Sequence, residues 1–145
     1  AILGRQLKLQ NIVVETRLAE ALPRIQAHTN RLEQVVFNLL TNARDAITQK
    51  AETSGDEDER RTIRVDTVSE NGRVVLMVAD NGAGIPQDVQ HRIFESFFTT
   101  KEMGEGMGLG LAISLGIVED YNGDIDVESR VGEGTRFRLT FPVAT

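Results

Sequence analysis

The side chains of this chain best suited to chemistry fall in four stretches. Asn38-Leu-Leu-Thr-Asn42-Ala-Arg-Asp45-Ala sets two carboxamides one helical turn apart, and Asp80-Asn-Gly82-Ala-Gly84-Ile-Pro86 ends an apolar run with a carboxylate and a glycine turn. Phe94-Glu-Ser-Phe97-Phe98-Thr-Thr-Lys101 supplies aromatic rings and a cation. Gly104-Glu-Gly106-Met-Gly108-Leu-Gly110-Leu puts small residues at the opening of a helix, where backbone N–H groups can meet phosphate. This glycine string has no Gly-Lys pair, so it is not a P-loop, and no register of it gives G-x-G-x-x-G after a strand. Any one stretch has an ordinary structural reading: amides on a helix flank meet water, an aspartate caps a turn, phenylalanines fill a core. The four together read as an ATP site.

The elements that must position them follow from periodicity. From Thr29 to Gln49 the apolar residues Leu32, Val35, Val36, Leu39, Leu40, Ala43, Ala46 and Ile47 recur at three and four, which predicts a helix capped by Thr29 or Asn30. At about 100° per residue, with Val35 at zero, the apolar stripe covers roughly 0° to 140°; Asn42, Asn38 and Asp45 fall at about −20°, −60° and −80°, along its edge. Arg44 lies near 180° on the same scale, roughly opposite that edge. Upstream, Asn11 to Leu18 and Arg24 to Ala27 predict two short strands joined by a turn around Pro23. The acidic, polar segment from Lys50 to Arg61 predicts a solvated loop. Thr62 to Ser69 alternates as a half-buried strand, Glu70-Asn71-Gly72 is a hairpin turn, and Val74 to Ala79 is an apolar run suited to a strand covered on both faces. Leu109 to Tyr121 predicts a buried helix ending near Asn122-Gly123. Strands at Asp124 to Ser129 and Thr135 to Phe141, joined by Gly132-Glu-Gly134, close the chain. Helices and hairpins in blocks predict an α+β, two-layer sandwich.

Composition narrows the class. The chain has 145 residues with 40% apolar content, enough for the core of one domain and not two. There is no cysteine, which removes disulfides and thiolate metal sites and suits a reducing compartment. No stretch reaches the roughly 18 apolar residues of a membrane span, and Ala1-Ile-Leu-Gly-Arg lacks the layout of a signal peptide. A net charge of −6 argues against a nucleic-acid surface. The expectation is a soluble cytoplasmic domain with no nucleic-acid partner and no membrane contact of its own.

The four stretches, in this order, resemble the N, G1, F and G2 boxes of the ATP-binding domain of bacterial sensor histidine kinases, within the wider family that includes DNA gyrase, a heat-shock chaperone and mismatch-repair ATPases. The resemblance covers nearly the whole chain: 11–145 as catalytic ATP-binding domain, with residues 1–10 as the tail of a linker from a missing dimerisation domain. It implies the Bergerat fold, a mixed, mostly antiparallel sheet covered on one face by about three helices, with ATP held between them and a mobile lid spanning about residues 95–108. It implies that Asn42 ligates Mg2+, that Asp80 accepts a hydrogen bond from the adenine amino group, and that Thr135 reaches adenine through its hydroxyl or a water. An ionised carboxylate is acceptor-only, which suits that choice of base. Gly82 and Gly84 are expected to let backbone approach the base, and Ile85 to line its pocket. Gly106, Gly108, Leu109 and Gly110 are expected to hold phosphate, Lys101 to neutralise it, and Phe97 and Phe98 either to dock the lid or to fill core.

Departures from the family pattern carry information. Asn38 stands where the ATPases of the family have a glutamate base, and an amide has no useful basicity, so Asn38 argues for transfer of phosphoryl to another group. Asp45 stands where many sensor kinases have a lysine aimed at phosphate. Met107 replaces a hydroxyl residue. Neither His28 nor His91 lies in the His-Glu setting of a phosphoacceptor. The expected function is therefore a histidine kinase catalytic domain, with ATP and Mg2+ as cofactors, acting on a histidine of a separate dimerisation domain with a response regulator downstream. The wording around Thr99-Thr-Lys101 and Ala112 to Asp124 is most similar to the nitrogen-regulation and dicarboxylate-transport sensors. The alternatives are an ATPase conformational switch and a catalytically silent nucleotide-binding module.

Overall fold

The computed structural model describes residues 2–54, 60–95 and 110–144. Five strands form one sheet: β1 (Ile12–Leu18), β2 (Arg61–Glu70), β3 (Arg73–Asp80), β4 (Asp124–Arg130) and β5 (Gly134–Pro142), in the order β1-β2-β3-β5-β4. Only β1 and β2 are parallel; the other three pairings are antiparallel. Helices α1 (Ile2–Leu9), α2 (Thr29–Ser54) and α3 (Gly110–Asp120) accompany it, with a 3₁₀ turn over Gln87–Arg92. This is the expected α+β sandwich with its mixed, mostly antiparallel sheet.

Strand register explains the layering. Residues directly opposite across a ladder point to the same face. The rung Val65, Val78, Phe137, Val127 and the rung Thr67, Leu76, Leu139, Ile125 thereby face the helices together. Against them α2 lays Val35, Leu39, Ala43 and Ile47, spaced by four and all buried, and α3 adds Ile117 and Val118. The next rung departs from the pattern. It reads Ile63, Asp80, Thr135, Ser129, so the apolar layer of the sheet ends in three polar side chains.

Two expectations change. Arg24 to Ala27 is not a strand: Pro23 has no donor to give a ladder, and β1 pairs instead with the distant β2. The Arg24 carbonyl accepts from Ala144 N–H near the C-terminus (2.7 Å). The α2 helix runs on through Lys50 to Ser54, five residues beyond the predicted Gln49 and into the expected loop, since Lys, Ala and Glu are good helix formers. Within the segment expected as a linker tail, residues 2–9 form α1, whose Leu7 is buried in the core while Gln6 accepts from Arg44 Nη1 on α2 (2.6 Å). The hairpin at Asn71-Gly72 is as expected, with both residues at positive φ (52° and 74°). No helix among the described residues is long and apolar enough to cross a membrane.

Candidate nucleotide site

The polar rung is the centre of the site. Asp80 ends β3 beneath α2, where its Oδ1 accepts from Gly82 N–H (2.8 Å), and a second backbone N–H, that of Thr135, also donates to the carboxylate. Burial pushes its carboxyl from the ordinary 3.8 up to about 6, partly offset by these two hydrogen bonds and by the charge of Lys50. Lys50, from the unexpected last turns of α2, donates to the Asn81 carbonyl (3.3 Å). Nothing in the sequence pointed to it. A cleft of about 570 Å3 is bordered by Asp80, Thr135, Ser129 and Val127, and by Gln87 and Gln90 of the 3₁₀ turn; Asn38 and Asn42 do not border it.

The glycines hold this corner together by close approach of backbone to backbone. A Cβ on Gly82 would stand 2.5 Å from the Ala46 carbonyl carbon of α2, and Ala83 N–H donates to the Ala46 carbonyl (2.9 Å). Gly84, at φ +77°, would collide with the Arg130 carbonyl, and Gly132 N–H donates to the Ala83 carbonyl (2.8 Å). The space that a side chain would fill at Gly82 and Gly84 is thus occupied by protein backbone, which clamps the turn after β3 between α2 and the β4–β5 turn. Ile85 packs against the core, and its N–H donates to Ser129 Oγ (2.7 Å).

The two asparagines have separate fates. Asn38 is buried: its Nδ2 donates to the Gly110 carbonyl and to Ser114 Oγ of α3 (3.2 Å each), and its Oδ1 accepts from Gln34 (3.1 Å). Its carboxamide is committed to joining α2 to α3. One turn on, Asn42 Nδ2 is buried with no hydrogen-bond partner among the described residues. Such an amide costs stability until a ligand satisfies it. The same carboxamide carries an oxygen of the kind Mg2+ accepts, so Asn42 fits the cation and Asn38, as it stands, does not. Arg44 turns to Asp45 (3.1 Å) and to Gln6, away from the site as its place on the helix predicts. Lys101, Gly106, Gly108, Leu109, Phe97, Phe98 and Met107 lie outside the described residues.

Besides Lys50, two residues escaped the sequence reading. Ser129 Oγ receives the Ile85 N–H, donates to the Gly134 carbonyl (2.9 Å) and lies 2.8 Å from Thr135 Oγ1. Gln90 Nε2 donates to the carbonyls of Ile85 and Ser129 (2.9 and 3.1 Å), fastening the 3₁₀ turn to β4. A signal existed for Ser129: it follows Ile125 and Val127 on the inward-facing alternation of β4, where an apolar residue belongs.

The sheet thus ends in a half-buried carboxylate under a long helix, whose Asn42 amide nitrogen has no partner among the described residues. The histidine kinase-, DNA gyrase B- and HSP90-like ATPase family matches residues 27–145. Sensor histidine kinase ZraS of Escherichia coli K12 is 43% identical over 86% of the chain, and C4-dicarboxylate transport sensor protein DctB of Rhizobium meliloti 46% over 79%. Sensor kinase CckA of Brucella abortus is 41% identical over 81%. The chain spans only 24%, 17% and 13% of those three proteins. Among solved structures, ShkA in complex with AMPPNP aligns over 99% of this chain and 28% of its own, at TM-score 0.81 and 29% identity. The catalytic domain of the histidine kinase ThkA aligns over 98% of this chain and 86% of its own, at TM-score 0.78 and 29% identity. The chain belongs to this family, as an ATP-binding catalytic domain of the histidine kinase kind.

Proposed function

We propose that the domain binds Mg2+·ATP with adenine against Asp80 and Thr135, and presents the γ-phosphoryl group to a histidine on a separate dimerisation domain, of its own or a partner chain. The observation that carries the base assignment is the acceptor row at the end of the sheet. Asp80 has a carboxylate oxygen to offer an amino group, and Thr135 stands beside it in register. Asn42 is the residue we assign to the metal, which when bound would neutralise charge on the phosphates. Lys101 would add a second cation, and the glycines from 106 to 110, with Leu109, would meet the phosphates at the start of α3.

In the transfer, a histidine ring nitrogen attacks the γ-phosphorus, the bond to the β–γ bridging oxygen breaks, and ADP leaves with that electron pair. Water is a poor rival nucleophile here. Asn38 is an amide whose oxygen already accepts from Gln34, so it cannot act as the general base an ATPase needs. Of the chain's two histidines, His28 has its Nδ1 bonded to Tyr121 Oη (3.0 Å), and neither it nor His91 lies in the His-Glu setting of a phosphoacceptor. The reading makes the domain the cytoplasmic part of a membrane-bound sensor, with a response regulator downstream.

Two outcomes are expected. Asn42→Ala should weaken Mg2+-dependent ATP binding at least tenfold in a fluorescence titration while leaving adenosine binding within about twofold, since it removes a metal contact and no base contact. Equal loss for both ligands would mean a disturbed helix. Incubated with labelled ATP and Mg2+, the chain alone should gain little phosphate and release little, yet should label a supplied histidine-containing dimerisation domain. Proximity to the acceptor then supplies the rate. Fast turnover by the chain alone, abolished by Asn38→Ala, would favour the ATPase switch; ATP binding with no transfer to any supplied acceptor would favour a silent module.

A further inference from the structure

We propose that Ser129 is a positioning residue that sets nucleobase specificity through the Thr135 hydroxyl, without touching the nucleotide; this rests on the base assignment made above.

A serine hydroxyl has one hydrogen and two lone pairs. Ser129 gives its hydrogen to the Gly134 carbonyl, which can only accept, and it takes one hydrogen from Ile85 N–H. Its remaining lone pair faces Thr135 Oγ1 at 2.8 Å, so the hydrogen in that contact belongs to Thr135. The Thr135 hydroxyl is thereby turned away from the cleft. What it can show a ligand is lone pairs, next to a carboxylate that also only accepts.

The floor of the base pocket is in this way acceptor-only at two adjacent positions. A purine with an exocyclic amino group satisfies it, whereas one with a carbonyl at the same place sets oxygen against oxygen. A threonine hydroxyl free to rotate would lose that discrimination, because it could swing round and donate to the carbonyl. Ser129 is held for this role from three sides, since Gln90 also grips its carbonyl and that of Ile85. Its polar side chain on an inward-facing strand position has a use that packing alone does not give.

The test compares ATP with ITP, whose base has a carbonyl where adenine has its amino group. Ser129→Ala should narrow the ATP-to-ITP affinity ratio by about tenfold, mostly through tighter ITP binding. Ser129→Thr, which keeps the hydroxyl, should restore the ratio. In a Thr135→Val background, Ser129→Ala should have no further effect on it. Should Ser129→Ala not fold, Thr135→Val alone decides: it should weaken ATP and leave ITP bound as well as before or more tightly, and a loss of ITP affinity would mean that the hydroxyl donates and would overturn the proposal. An unchanged ratio in folded Ser129→Ala, with Asp80→Asn still impairing ATP binding, would overturn it while sparing the base assignment. Failure of the wild-type chain to bind ATP saturably would overturn both.

Discussion

Asp80→Asn is expected to do two opposite things: lower ATP affinity by roughly one to two orders of magnitude, and raise the stability of the nucleotide-free domain at neutral pH. The first effect is the loss of a hydrogen bond to a charged acceptor. The second follows from burial, which pushes the carboxyl up to about 6 from 3.8. Because the folded state binds this proton more tightly than the unfolded one, stability falls as pH rises through roughly 4 to 6 and the deficit is complete above that window. Two units at roughly 1.4 kcal/mol each bound the deficit at about 3 kcal/mol, and the asparagine, which keeps an oxygen for Gly82 N–H, should recover about 1–3 kcal/mol of it. Urea melts at pH 7.5 should show the gain, and melts at pH 4 should not. By the same titration, wild-type ATP affinity should decline as pH is lowered through 6. An unchanged dissociation constant in folded Asp80→Asn would refute the base assignment; a variant less stable than wild type at every pH would make the carboxylate structural instead.

Gly134→Ala is expected to be strongly destabilising. Gly134 has φ +135°, a region closed to side chains, and a Cβ there would run into the Asp80 carbonyl and stand 3.0 Å from the Asn81 Cα. Strain and overlap together should cost about 3 kcal/mol or more, and relief by moving β5 would part Thr135 from Asp80. Gly132 provides the control. It also has positive φ (+82°), but nothing lies within 4 Å of its added Cβ, so Gly132→Ala should cost only about 1–2 kcal/mol. Chemical denaturation of both variants measures the difference. Equal costs would show that the close approach to Asp80 relaxes freely.

Local pattern carried far in this chain. The spacing of Val35, Leu39, Ala43 and Ile47 determined α2 and its buried face, because a helix buries whatever recurs every three or four residues. Asn71-Gly72 determined the β2–β3 hairpin, and the order of the four boxes determined the family. Thr135 shares a face of β5 with Phe137 and Leu139, because residues two apart on a strand point the same way. Tertiary structure alone decided what lies far apart in sequence. β1 joined β2 in parallel rather than a neighbouring strand. Asn38 found partners on α3 over 70 residues away, and Gly82, Gly84 and Gly134 proved to be crossing points of backbone. Periodicity states which face a residue takes but not which residue will lie against it. Register between distant segments is set by how the whole core closes, and Ser129 acquires its meaning only once Gly134, Ile85 and Thr135 have been brought to it.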